Sequence, residues 1–329
     1  MTRILVVNAG SRTLKLSLVG EDERAEPVDG FVAADAVGHR VVHGGERFRE
    51  PVVVDEDVQR AIEELIAIAP LHNAPALRGL REARAALPDV PHVAVFDTAF
   101  HATIPEKAAT YAVPSAWSLR RYGFHGLSVR WAAERVQVPR LAVCHLGGGS
   151  SVTAVRNGRS VDTTMGFTPL EGVPMTTRSG SVDPGALLFL LRERGLSVDE
   201  LDHALNLESG LAALSGTSGD LREVRAAGAQ LALDVYAYRV AGAVAAMAVA
   251  LGGLDALVFT AGIGEHVPEV RDAVCARLGF LGVQLDPARN ATAAPDADVA
   301  AAGSPVRVWV VGAREDVVIA RDVRRLVGA

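Results

Sequence analysis

The chain has 329 residues, enough for two domains of ordinary size, and its 49% apolar and 22% charged residues exclude a disordered or fibrous protein. A formal charge of −6 supplies no basic footprint, which argues against nucleic acid and anionic membrane as partners, so any phosphate must be held by local groups. Cys144 and Cys275, the only cysteines, lie in apolar contexts that speak against a disulfide framework and fit a reduced cytoplasm.

Alternation and apolar runs predict strands at 3–8, 13–19, 38–43, 93–97, 141–145, 151–156, 256–260 and 306–311. Helical spacing is expected at 57–69, 75–86, 127–136, 184–194, 228–251, 267–278 and 316–327, giving an α/β chain. Met1-Thr2-Arg3 leads directly into the first strand without the regions of a signal peptide, so a cytoplasmic location is expected. The first two strands flank Asn8-Ala9-Gly10-Ser11, with Lys15 beyond it, one of only two lysines in the chain. A turn of Gly, Ala and Ser lets backbone N–H groups converge on phosphate oxygens.

Gly38 to Phe48 reads as a strand and a turn, with Arg40 and Val42 sharing a face opposite to His39 and His43. Arg40 beside Val42 would suit a small carboxylate, a guanidinium for its oxygens and an aliphatic wall for its tail; an ion pair with a carboxylate such as Glu46 would explain it equally. Val93 to Phe96 is an apolar strand ending in Asp97, which could contact Mg²⁺ or the attacking group, or simply cap the next helix. In Arg120-Arg121-Tyr122-Gly123-Phe124-His125-Gly126 a histidine stands between glycines, either presented or packed and hydrogen-bonded.

The strand–glycine turn–strand pattern then recurs as Leu141 to Val152, through His145, Gly147, Gly148 and Gly149. Two such turns, one per half, suggest a polyphosphate ligand. The segment Asp162 to Pro184 is expected to be a long ordered loop of the kind that carries function. Val240 to Leu254 is too short and too weakly apolar to span a bilayer, and reads as a buried helix. Val258 to Glu265 is a strand and a glycine turn before a helix near Val267, with neither a P-loop nor a complete dinucleotide fingerprint. Arg314-Glu315-Asp316 precedes the final helix, where acids favour the N-terminus. A boundary near Pro114 divides the expected domains into 1–113 plus 316–329 and 114–315.

Taken together, N-A-G-S-x-x-L-K from Asn8, G-H-R-V-V-H-G-G-E from Gly38, A-P-L-H-N from Ala69, V-F-D-T-A-F-H from Val95, R-R-Y-G-F-H-G from Arg120, H-L-G-x-G from His145, D-T-x-M-G-F-T-P-L-E-G from Asp162, T-R-x-G from Thr177, G-I-G-E from Gly262 and E-x-x-x-I-A-R from Glu315 resemble the acetate kinase family, in the actin, sugar kinase and heat-shock ATPase superfamily. The resemblance implies a duplicated ribonuclease H-like fold of two domains with ATP in the cleft between them, a homodimer, and phosphoryl transfer between ATP and acetate. It further implies that Asn8 and Glu315 help hold Mg²⁺, with Mn²⁺ as an alternative ion, through its waters. Ser11 and Lys15 match the first phosphate hairpin, and His145, Gly147 and Gly149 the second. Asp220 and Arg222 match the adenosine contacts, and Gly262, Ile263 and Gly264 the turn beside the nucleotide. Arg40 and Arg178 match the arginines for the carboxylate and the transferring phosphoryl group, His125 its stabiliser and Asp97 the acid beside the acyl substrate. Val42, Leu71, Phe124 and Pro169 match the methyl pocket.

The chain departs from the family pattern at Gly148 for Asn, Thr176 for Gly, Ser181 for Asp, Leu127 for Thr, His266 for Asn and Ala76 for Asn, and is trimmed between Lys15 and Gly38. Two other readings stand beside acetate kinase: a kinase for propionate or another short-chain carboxylate, and a catalytically weak nucleotide-binding regulatory homologue.

Overall fold

A computed structural model describes residues 2–9 and 14–328. Among these, two six-stranded sheets form, each within its own compact unit. The first is built from β1 (Ile4–Ala9), β2 (Leu14–Val19), β3 (Ala25–Pro27), β4 (Ala36–Val41), β5 (Val52–Val53) and β6 (His92–Phe96), in the order β3-β2-β1-β4-β6-β5. The second is built from β7 (Arg140–Leu146), β8 (Ser150–Arg156), β9 (Arg159–Thr163), β10 (Ala256–Thr260), β11 (Ala297–Asp298) and β12 (Arg307–Val310), and read from β9 its order is β9-β8-β7-β10-β12-β11. The two match strand for strand. In each, three antiparallel strands lead to two parallel ones and an antiparallel edge, so the expected ribonuclease H-like duplication is written in the pairing itself.

The central strands β1, β4, β6, β7 and β10 are apolar runs buried almost throughout, as expected of parallel strands covered on both faces. In the second unit the helix Gln230–Leu251 supplies the largest cover: Ala232, Tyr236, Val240, Val244, Met247 and Leu251 enter the same core as β7, β8 and β10. By length and composition it could cross a membrane, yet this core face is that of a packed helix.

Unit 1 comprises 1–102, 122–131 and 314–329, and unit 2 comprises 103–121 and 132–313. The boundary expected at Pro114 thus falls inside a segment that packs with unit 2. Residues 122–131 belong with unit 1 because Gly126 N donates to Asp97 O (3.0 Å), Phe124 O bonds the His101 ring (2.8 Å) and Arg130 pairs with Asp322 of the last helix (3.0 Å). Glu315, expected in the second domain, joins the first for a similar reason: it opens the helix Glu315–Val327 and reaches Arg40.

Candidate active site

In unit 1 the functional side chains gather at the ends of adjacent strands. Arg40 projects from β4 and Asp97 comes directly after β6, its backbone N–H bonded to Val41 O (3.0 Å). The guanidinium grips Asp97 with two bonds, Nε to Oδ1 (2.9 Å) and Nη2 to Oδ2 (2.6 Å). Arg40 Nη1 meets both Asn8 Oδ1 (3.1 Å) and Glu315 Oε2 (3.2 Å). Burial disfavours the Arg40 charge, but the charges of Asp97 and Glu315 and the Asp97 hydrogen bonds outweigh it and raise the pKa, so the fork is fixed and cationic. Asp97 therefore holds an arginine, where capping of a helix was the alternative expectation. Lys15 stands directly across from Asn8 in the β1–β2 register, on the same face of the sheet. Ser11 lies outside the described residues.

One guanidinium here faces two carboxylates, so a cation beside Asn8 and Glu315 is electrostatically welcome, and both present hard oxygen donors. These residues fit a hydrated Mg²⁺.

His39 and His43 take separate partners: His39 Nε2 bonds His92 Nδ1 (2.9 Å), whereas the His43 ring packs edge-on against Tyr122 and Phe124. Of the expected methyl-pocket residues in this unit, Val42 and Phe124 are buried and Leu71 is 40% exposed. His125 sits at φ +60°, a left-handed backbone that non-glycine residues rarely adopt. Gly126 after it leaves no room for a Cβ, which would collide with Asp97 O, so the His125 corner is clamped against the strand end that carries Asp97.

In unit 2 the hairpin between β7 and β8 closes through Gly147 N to Gly149 O (2.9 Å), with His145 buried just before it and level with Thr260 of β10. The segment expected as a free turn at Gly262, Ile263 and Gly264 is instead the body of a short helix, Ala261–His266, entered through Ala261 at φ +65°. A Cβ on Gly147 would lie 3.5 Å from Ala261 Cβ and 3.9 Å from Gly262 N, so hairpin and helix start are neighbours. Thr176 N donates to Gly148 O (3.4 Å), and Gly219 packs against Thr176 O, which draws the loop before Arg178 and the Asp220 segment to the same hairpin. Asp220 caps the helix Leu221–Ala226 and pairs with Arg222, whose side-chain bonds, with its backbone N–H, hold the carboxyl down at about 2. A cavity of about 310 Å³ opens nearby, lined by Arg225, Gln230, Leu233, Val267 and Val270 among others. Arg178, its pKa lowered by burial, donates to Pro169 O (3.4 Å).

Sequence reasoning missed Arg271. It is 1% exposed and spends its guanidinium on the carbonyls of Gly264 (2.8 Å), Glu265 (2.9 Å) and Asn290 (2.8 Å) and on Asn290 Oδ1 (2.7 Å). It thereby anchors the end of the helix that begins at Ala261. The one signal was a cation flanked by Val270 and Val274, hard to tell from an exposed position in an arginine-rich chain.

A family model described as the acetokinase family matches residues 32–321. The chain belongs to the acetokinase family. An acetate kinase of Nostoc punctiforme is 50% identical over 317 residues, covering 91% of this chain and 78% of the relative, and one of Leifsonia xyli subsp. xyli is 51% identical over 314 residues, covering 90% and 79%. Among solved structures, a Porphyromonas gingivalis acetate kinase superposes with a TM-score of 0.87 at 33% identity (99% and 100% covered). A Francisella tularensis propionate kinase superposes with 0.91, also at 33% (98% and 99% covered).

Proposed function

We propose that the chain transfers the γ-phosphoryl group of ATP to acetate, giving acetyl phosphate and ADP, and runs the reverse reaction. The observation that carries this reading is the Arg40 fork: one arginine clamped by a buried acid at a strand end, sharing its remaining nitrogen with Asn8 and Glu315.

A carboxylate oxygen attacks the γ-phosphorus in line and ADP departs with the bonding pair. Acetate is already ionised at neutral pH, so no residue has to remove a proton, and the protein's task is positioning and charge neutralisation. Two anions approach each other. Arg40 takes the carboxylate, held in the required plane by Asp97; Arg178 and His125 meet the charge on the transferring group; Lys15 and the β7–β8 hairpin at His145, Gly147 and Gly149 take the other phosphates. Asp220, Arg222 and the helix start at Gly262 take the nucleoside. Asn8 and Glu315 hold Mg²⁺ through water, and the ion supplies further neutralisation of the phosphates.

A second reading takes propionate as substrate and is favoured by the 40% exposure of Leu71, which leaves that side chain room to yield to a longer tail. One methylene is worth only about 1–3 kcal/mol in such a pocket. We further propose a cytoplasmic homodimer, in which the partner covers Leu231, Tyr238 and Val249, exposed residues that fall on one stripe of the helix Gln230–Leu251.

Trapping acyl phosphate with hydroxylamine, with MgATP and acetate, propionate or butyrate, tests the reading. Wild type turns over with acetate or propionate, and Arg178→Ala falls roughly 10³-fold or more in kcat. Absence of turnover with ATP bound would favour a regulatory homologue, and an Arg178→Ala enzyme within tenfold of wild type would remove that residue from the reaction.

A further inference from the structure

Arg121 and Glu171 lie in motifs of the sequence, yet phosphoryl transfer as proposed makes no direct use of them, and Tyr111 lies outside every motif. In the structure the three converge on the irregular segment 164–171. The Tyr111 hydroxyl donates to Glu171 Oε2 and accepts from Phe167 N (2.9 Å). Arg121 Nη2 donates to Glu171 Oε1 (2.8 Å), and its Nη1 donates to the carbonyls of Thr164 (3.0 Å) and Met165 (3.1 Å). The Arg121 guanidinium also lies 5.5 Å from the centre of the Tyr111 ring. Gly166 is what lets the partners close: a Cβ there would collide with the Glu171 carboxylate and the Tyr111 hydroxyl. Burial, then the bond to Glu171, push the Tyr111 phenol above its ordinary pKa, so it remains a donor at neutral pH.

What this cluster grips matters. Pro169, two residues before Glu171, accepts from Arg178 through its carbonyl. On the other side, Gly172 pairs with Ser181, by Ser181 N to Gly172 O (2.8 Å) and Gly172 N to Ser181 Oγ (3.1 Å), and Met175 N binds Arg178 O (3.0 Å). The segment is thus one closed unit, and Tyr111 and Arg121 are the side chains that anchor it from elsewhere in the chain among the bonds described.

We propose that Tyr111, Arg121 and Glu171 are positioning residues that fix the 164–171 segment, and through it set both the placement of Arg178 and the Pro169 wall that discriminates acetate from propionate. This rests on the roles proposed for Arg178 and Pro169 in phosphoryl transfer. A network of this kind behaves as one unit, because each partner leaves the others unsatisfied when it is removed.

The test is steady-state kinetics of the full chain carrying Tyr111→Phe, Glu171→Gln or both, with Arg178→Ala alongside. The expected result is a kcat about tenfold lower in each single variant, a MgATP KM within twofold of wild type, and a shift of threefold or more in the acetate-to-propionate ratio of kcat/KM. The double variant should be no worse than the worse single one. Thermal midpoints separate misfolding from misplacement, and Glu171→Gln, which keeps the side chain's shape, serves if Tyr111→Phe does not fold. Wild-type kcat and an unchanged substrate ratio in Glu171→Gln would overturn the proposal, as would a MgATP KM that rises in step with the acetate KM. If Arg178→Ala is inactive while the other variants are normal, this inference alone fails; if Arg178→Ala is itself active, the reading beneath it fails.

Discussion

Strands β1, β4 and β6 of the first sheet correspond in order and pairing sense to β7, β10 and β12 of the second, yet the residues at the strand ends differ in kind. In unit 1 those ends carry long charged or polar side chains: Asn8, Arg40 and Asp97, joined by Glu315 from the last helix. In unit 2 the equivalent strands run into glycines instead, Gly147 after β7, Gly262 after β10 and Gly312 after β12, and under the proposed function backbone takes over the recognition there. On that reading, one topology serves two ligand chemistries. A small carboxylate has only two oxygens and a methyl group to recognise, and a fixed guanidinium charge matches it; a polyphosphate offers many oxygens, and a bare backbone can approach them closely.

The contrast is broken most severely by Arg40→Ala. It removes the fork and leaves Asp97 buried without its main counter-charge, so kcat/KM for acetate should fall about 10³-fold by acyl-phosphate trapping, the loss typical of phosphoryl-transfer arginines. Next comes Gly126→Ala, whose methyl must displace the Asp97 backbone and the His125 corner; a shift near 1 Å at a reacting group costs about 10²-fold, so kcat should fall by that order. Arg271→Met sharpens the other half. Losing its bonds to Gly264 and Glu265 should raise the MgATP KM about tenfold, given about 1.5–3 kcal/mol for a hydrogen bond to a charged group, while the acetate KM stays within twofold.

The smallest effect is one of pH. Burial, then His92 and Arg84, lower the His39 pKa to about 3, and burial lowers that of His101 to about 4 against the opposing bond to Phe124 and charge of Asp97. Both stay neutral in the folded unit 1 and protonate in the unfolded chain below about 6.5, so the unfolded state binds more protons and stability falls as pH drops from 6.5 towards these values. Hydrogen exchange at pH 7 and pH 5 should show β4 and β6 losing more protection than β7 and β10; equal losses would refute it.

Where eight of the twelve strands sit was readable because an apolar run ending in a charge or a glycine is a local signal, as at Val93 to Asp97 and Leu141 to Gly147, whereas β9 (Arg159–Thr163) was not expected. The edge strands β3, β5 and β11, with two or three residues each, carry no periodicity of their own and exist because a neighbour offers them a ladder. The helix at Ala261 was hidden for a different reason: Gly262 and Gly264 are poor helix formers, and packing against the β7 strand and Arg271 overrides them. The order of the loop after Asp162 was legible from its Met165 and Phe167, but not its anchors, since Tyr111 and Arg121 lie 60 and 50 positions away from Glu171 in the chain.

The most direct test of the division of labour is a calorimetric titration of MgADP into Arg40→Ala, because ADP lacks the group being transferred. If unit 1 recognises the carboxylate through side chains and unit 2 the nucleotide through backbone, the variant should bind MgADP within twofold of wild type while its acetate turnover is lost. A MgADP affinity weakened tenfold or more in a folded variant would contradict it.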